Sequence, residues 1–139
     1  MTARLSIALV LLGLAAATAS ADEPKAYTCT FADGVTQFYE QGRFVEEKAT
    51  PLTFGIAAID TRAQTAELAT ERGTGQLRIV QAVNAMHFLE VVTEGFLNIT
   101  TIYDKDEVKG AYPAVHSRHF GLLGQPLVTQ YHGFCAARE

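Results

Sequence analysis

The rhythm of turn signals constrains this chain more than any other feature. From residue 27 onward, glycine, proline, aspartate and asparagine interrupt the sequence at short intervals, and β-rich runs fill the spaces between them. After residue 21 no segment carries a helical apolar period long enough to serve as a crossover. Parallel neighbours need crossovers of a dozen or more residues, so the strands must pair antiparallel. The expectation is an all-β fold: a small antiparallel meander barrel, or a barrel-like sandwich, of about eight strands. Either arrangement removes open sheet edges.

The runs can be placed one by one. Residues 27–31 set Tyr27, Cys29 and Phe31 against Thr28 and Thr30, the period-two pattern of a half-buried strand. Asp33-Gly34 tolerates positive φ and predicts a hairpin, with residues 35–39 as its return strand, ended by Gln41-Gly42. Residues 43–51 are charged, end in Pro51 and read as a loop or short helix. Residues 52–60 set Phe54, Ile56 and Ala58 against Gly55, Ala57 and Ile59, and residues 65–71 place Ala66 and Leu68 on an apolar face. Gly73-Thr74-Gly75 then turns the chain into further expected strands at 76–83, 86–92, 96–103, 112–120 and 128–136. Within 96–103, Leu97, Ile99, Thr101 and Tyr103 face one way and Asn98 and Thr100 the other. Thr93-Glu94-Gly95 is a turn, 104–110 a charged loop and 121–126 a linker.

Residues 1–21 read as an export leader. Arg4 and the free amine are followed by an apolar run over 5–17 and the small-x-small site Ala19-Ser20-Ala21. The run falls short of the roughly 20 residues that span a bilayer, so no membrane attachment is expected after cleavage. Removing 21 of the 139 residues leaves 118, a single domain over 22–139 that is large enough for its own core. Export places the protein in the periplasm or outside the cell. Cys29 and Cys135, near the two ends of the mature chain, then read as a disulfide. Closing a loop of about 106 residues is worth roughly 4–5 kcal/mol in the chain-entropy model. The bond would tie the first strand to the last, which favours the barrel.

Loss of Arg4 with the leader takes the net charge from −4 to −5. Basic residues are scattered singly, with no stripe to follow a phosphate backbone, so nucleic acid is not an expected partner. No motif calls for a cofactor.

The densest polar group is His116-Ser117-Arg118-His119. On a strand His116 and His119 point to opposite faces, so zinc or copper could not take both without a bend and a third ligand from His87, Glu90 or His132. Ser117 lacks the Gly-x-Ser-x-Gly elbow of a hydrolytic nucleophile. The group therefore reads as a structural network, with Arg118 paired to a carboxylate such as Glu90 or Asp60. Alternatively, His116 and Arg118, which share a face, form an anion or partner contact. The expected role is non-catalytic: binding an unidentified protein or small ligand, or a structural one. A metal or hydrolytic site at this run is the competing class.

Three stretches carry a resemblance: residues 89–103, with Glu90, Gly95 and Thr100-Thr101-Ile102-Tyr103; Ala114-Val115-His116-Ser117-Arg118-His119; and Gln130-Tyr131-His132-Gly133-Phe134-Cys135. Together they resemble a group of small exported proteins of alphaproteobacterial type. That resemblance implies a periplasmic protein and lends no catalytic residue. A looser architectural likeness, through Tyr27-Thr28-Cys29 and Cys135, is to the C-type lysozyme inhibitors, which are also small exported barrels. It implies a protein-binding module, but their Ser-Gly-x-x-Tyr loop is absent, and Lys109-Gly110 follows Val108 rather than a Phe-Trp pair.

The leader reading makes a direct prediction. Mass spectrometry of the periplasmic fraction should find a mature N-terminus at Asp22. An intact chain recovered from the inner membrane would turn residues 5–17 into an anchor.

Overall fold

The computed structural model describes residues 23–92, 96–122 and 124–139. The expected leader and the turn at 93–95 lie outside the described residues. Nine strands follow one another: β1 (Ala26–Glu40), β2 (Arg43–Lys48), β3 (Leu52–Asp60), β4 (Thr65–Thr70), β5 (Gly73–Gln81), β6 (Ala85–Val91), β7 (Leu97–Tyr103), β8 (Tyr112–Leu122) and β9 (Gln125–Arg138). From β3 to β9 each strand pairs antiparallel with the next. β1 pairs with both β3 and β9 and so closes an eight-stranded barrel. β2 is a ninth strand, added outside the ring along the second half of β1.

The first strand differs from its sequence reading. No hairpin forms at Asp33-Gly34. β1 runs straight through that dipeptide, with a bulge between Thr30 and Asp33 that shifts its register against β9. Before the bulge Tyr27, Cys29 and Phe31 are buried, and after it Gly34 takes the inward position. A bulge adds one residue to one strand, and with a side-chain period of two the inward phase inverts. Gly34 is needed for space rather than for a turn: a Cβ there would stand 2.5 Å from Cδ1 of Tyr131. Gly133 plays the matching part on β9, where a Cβ would collide with the Thr30 carbonyl oxygen and the Phe31 ring.

The chain reverses instead at Gln41-Gly42, at φ 49° and 82°, between the paired residues Glu40 and Arg43. Positive φ at both central residues is the two-residue hairpin turn whose twist matches its strands. Residues 43–48 are therefore the strand β2, not a loop or helix. Its charged residues suit an edge, where charge discourages pairing with another chain.

Two other alternations are corrected. β3 carries a second bulge between Ala57 and Asp60, with Ala58 at φ 48°, so Ile59 is buried and Ala58 is exposed. In β7 the period-two split holds, but the buried positions Thr100 and Ile102 lie on the face that also carries Asn98. β5 begins at Gly73, leaving Glu71-Arg72 as the turn, and β8 and β9 extend into the expected 121–126 linker.

The core fills the end of the barrel nearest residue 26. Tyr27, Cys29, Ile56, Ile79, Phe88 and Ile102 are among its buried side chains. Cys29 and Cys135 face each other in register with their Cα atoms 4.0 Å apart and form the expected disulfide, both fully buried. The bond crosses the seam that closes the barrel, in the middle of the core. Replacing Cys29 and Cys135 together with serine should lower the unfolding free energy by about 2–5 kcal/mol relative to the unmodified, disulfide-bonded protein. Urea titrations of the two proteins measure this, and coincident midpoints would show that the bond contributes nothing.

Candidate functional site

Strand register brings one polar layer together inside the open end of the barrel. Glu90 on β6 lies opposite Asn98 on β7, Asn98 opposite Arg118 on β8, and Arg118 opposite Thr129 on β9. Thr129 continues the layer to Thr36 on β1, with the two hydroxyl oxygens 3.1 Å apart. One step deeper, Phe88, Thr100, His116 and Tyr131 align across the same four strands. The facing wall, from β3, β4 and β5, supplies Phe54, Leu68 and Leu77. Between the two walls lies a cup of about 600 Å³, open at a rim that includes Pro51 and Arg72.

His116 is the most tightly constrained polar group in the cup. It is 5% exposed, and its ring packs between Phe54, Phe31 and Tyr131 at centroid distances of 5.1, 5.9 and 6.0 Å. Both nitrogens are engaged: Nδ1 lies 2.9 Å from Thr100 Oγ1, and Arg118 Nε lies 3.3 Å from Nε2. An arginine N–H can only donate, so Nε2 accepts. The imidazole proton then sits on Nδ1 and is donated to Thr100. Burial, and after it the Arg118 charge, hold the His116 pKa down to about 3 from its ordinary 6.5. The ring is a neutral, oriented acceptor.

The expected carboxylate partner of Arg118 is corrected. Among the described residues no carboxylate lies within ion-pair distance of it. Asp60 is at the other end of β3, where Oδ1 accepts from the backbone N–H groups of Arg62 and Ala63 at 3.0 and 2.9 Å. Glu90 is in the cup, but its Oε2 accepts from Asn98 Nδ2 at 2.8 Å, and Asn98 stands between Glu90 and Arg118 in the strand order. Arg118 is half-buried, donates through Nε to a neutral ring and lies 5.8 Å from the Tyr131 ring centroid.

The structure divides the His116-Ser117-Arg118-His119 run as strand geometry requires. His116 and Arg118 point into the cup, whereas His119 is exposed. His132 is also exposed, and His87 hydrogen-bonds Thr101 at 2.9 Å. Among the described residues no three His, Cys, Asp or Glu side chains converge on a position for one metal ion. No histidine among them hydrogen-bonds Ser117. Asn98, Thr100 and Tyr131 belong to the site although the sequence does not mark them as binding residues. For Asn98 and Thr100 the signal was the polar face of 96–103, but locating that face inside the barrel, and Tyr131 beside it, needed the register. At the opposite end a smaller hollow of about 230 Å³ adjoins Tyr27, whose phenol is pushed up to about 12 by burial, then by Tyr112 and Glu23.

No family model, curated protein or solved structure matches the chain.

The pKa of His116 sets a pH dependence of stability. The unfolded chain takes up a proton at this residue below about pH 6.5, while the folded chain does so only near pH 3. Stability through this group is complete above pH 6.5 and is lost as pH falls toward 3, at up to about 1.4 kcal/mol per pH unit. His116→Gln should flatten the acid limb of a stability–pH curve by that amount. In NMR the His116 ring should show no titration above about pH 5; a midpoint near its ordinary value would contradict the buried, neutral assignment.

Proposed function

We propose that this protein is an exported β-barrel that works in the periplasm by binding, without catalysis, and that a small ligand sits in its open cup. The observation that carries the reading is the cup itself. Eight-stranded barrels have interiors just wide enough either to fill with side chains or to hold one small ligand. Here one end is filled, and the other leaves about 600 Å³, within the range of small-molecule sites. Its lining sets an apolar wall from Phe54, Leu68 and Leu77 against a wall on which Glu90, Asn98, Arg118 and His116 converge.

Two observations support the remaining parts of the reading. The leader-like residues 1–21 and the Cys29–Cys135 bond both suit an oxidising, exported setting. His116, the histidine of the cup, has both nitrogens engaged and a pKa far below neutrality, so it is poorly suited to exchanging protons with a substrate.

Fluorescence titration tests the cup directly. N-phenyl-1-naphthylamine, an uncharged fluorophore that brightens in apolar surroundings, should bind the mature protein at one saturable site. Leu68→Trp places a large ring at a half-buried position of the cup wall and should abolish that binding without loss of the folded state. Absence of saturable binding to the unmodified protein, or undiminished binding to the Leu68→Trp variant, would refute the cup as the site.

A further inference from the structure

We infer that the ligand of the cup is a small amphipathic organic acid whose carboxylate is held by Arg118 and whose apolar body lies against Phe54, Leu77 and Phe88. The inference rests on the reading of the cup as a binding site and adds the chemical class of the ligand.

Arg118 is built as an anion receptor. Its Nε is committed to His116 Nε2 at 3.3 Å, and the ring that receives it is locked in turn by Thr100 at 2.9 Å and by three aromatic neighbours. Fixing Nε fixes the plane of the guanidinium. The two terminal amino groups keep their donors, for which the described residues provide no acceptor. Two parallel N–H donors on one rigid edge match a carboxylate, and charge-assisted bonds of this kind are about twice as strong as neutral ones.

The surroundings leave the charge of Arg118 available. Its cross-strand neighbours are Asn98 and Thr129, and its hydrogen-bonded partner His116 is neutral, so nothing among them offsets a positive charge. Glu90 is the acid closest to it in the strand order of the inward layer. It lies two strands away, about 9–10 Å by strand spacing, with Asn98 between them and donating to its Oε2. An anion at Arg118 therefore meets an open receptor, with Glu90 held aside. A carboxylate supplies the half-buried guanidinium with a counter-charge that an uncharged occupant lacks, so of two ligands with the same apolar body the acid should bind more tightly.

A matched pair of competitors tests the inference. 1-Naphthaleneacetate and 1-naphthaleneacetamide share an aromatic body and differ in a carboxylate against a neutral amide. Each is used to displace N-phenyl-1-naphthylamine from the full mature chain. The acetate should displace it at a concentration about tenfold lower or better, the range expected of one hydrogen-bonded charge pair. In Arg118→Gln the two competitors should come to equal potency, each measured against that variant's own affinity for the fluorophore. Equal potency on the unmodified protein, or a carboxylate preference that survives Arg118→Gln, overturns the inference while leaving the cup intact. Failure of the fluorophore to bind the unmodified protein removes the cup reading instead. If Arg118→Gln loses the fluorophore too, Arg118→Lys takes its place. It keeps the charge but not the flat edge, and the preference should fall severalfold; an unchanged preference there also overturns the inference.

Discussion

The ladder between β1 and β9 is the interaction on which the rest of this structure depends. It runs from Ala26↔Arg138 to Phe38↔Leu127 and is interrupted only by the bulge after Thr30. Without it the meander would be an open sheet with two long unpaired edges, and its inward residues would face solvent. The bulge lets one strand serve two neighbours on its other side, β3 below and β2 above. Closure is thus shared between backbone hydrogen bonds, the approach of Thr30 and Phe31 onto Gly133, and the Cys29–Cys135 bond in the core. The disulfide acts mainly on the unfolded chain by shortening a 106-residue separation. The ladder itself fixes the register.

That register determines the electrostatics of the open end. Because β6 to β9 are locked against one another, Glu90, Asn98, Arg118 and Thr129 form one inward layer, with Thr100 and His116 beneath. A neutral imidazole is the element that makes the layer coherent. Protonated, His116 would donate at Nε2 and could no longer accept from Arg118; neutral, it orients the guanidinium toward the cup. Burial among Phe31, Phe54 and Tyr131 keeps it neutral. An apolar cage deep in the barrel thereby positions a charged group nearer the mouth.

Much of this architecture was legible in the sequence, and the exceptions share a cause. Turn spacing revealed the all-β meander, and an even cysteine pair revealed the seam bond. The split of the His116–His119 run between faces followed from strand period alone. The errors arose where a residue's local preference competed with a tertiary contact. Asp33-Gly34 resembles a hairpin, yet Gly34 is there to admit the Tyr131 ring. Residues 43–48 bury almost nothing, so β2 carries no apolar alternation, and its pairing with β1 is a backbone matter. The bulge at Ala58 adds one residue and inverts the phase of Ile59, which a period-two reading cannot anticipate. The partner of Arg118 was misplaced for a similar reason. Residue types suggested an acid, but the strand order set Asn98 between Arg118 and Glu90.

The central claim is that β1 and β9 close the barrel along their whole length, not merely at the disulfide. Nuclear Overhauser contacts in solution test it most directly. Cross-strand contacts should link Tyr27 with Ala137 below the bond and Thr36 with Thr129 well above it, where the two hydroxyl oxygens lie 3.1 Å apart. Slow amide exchange along both strands should accompany them. Contacts confined to the neighbourhood of Cys29 and Cys135, with rapid exchange elsewhere on β1 and β9, would mean an open sheet held by one bond, and the cup would have no closed wall.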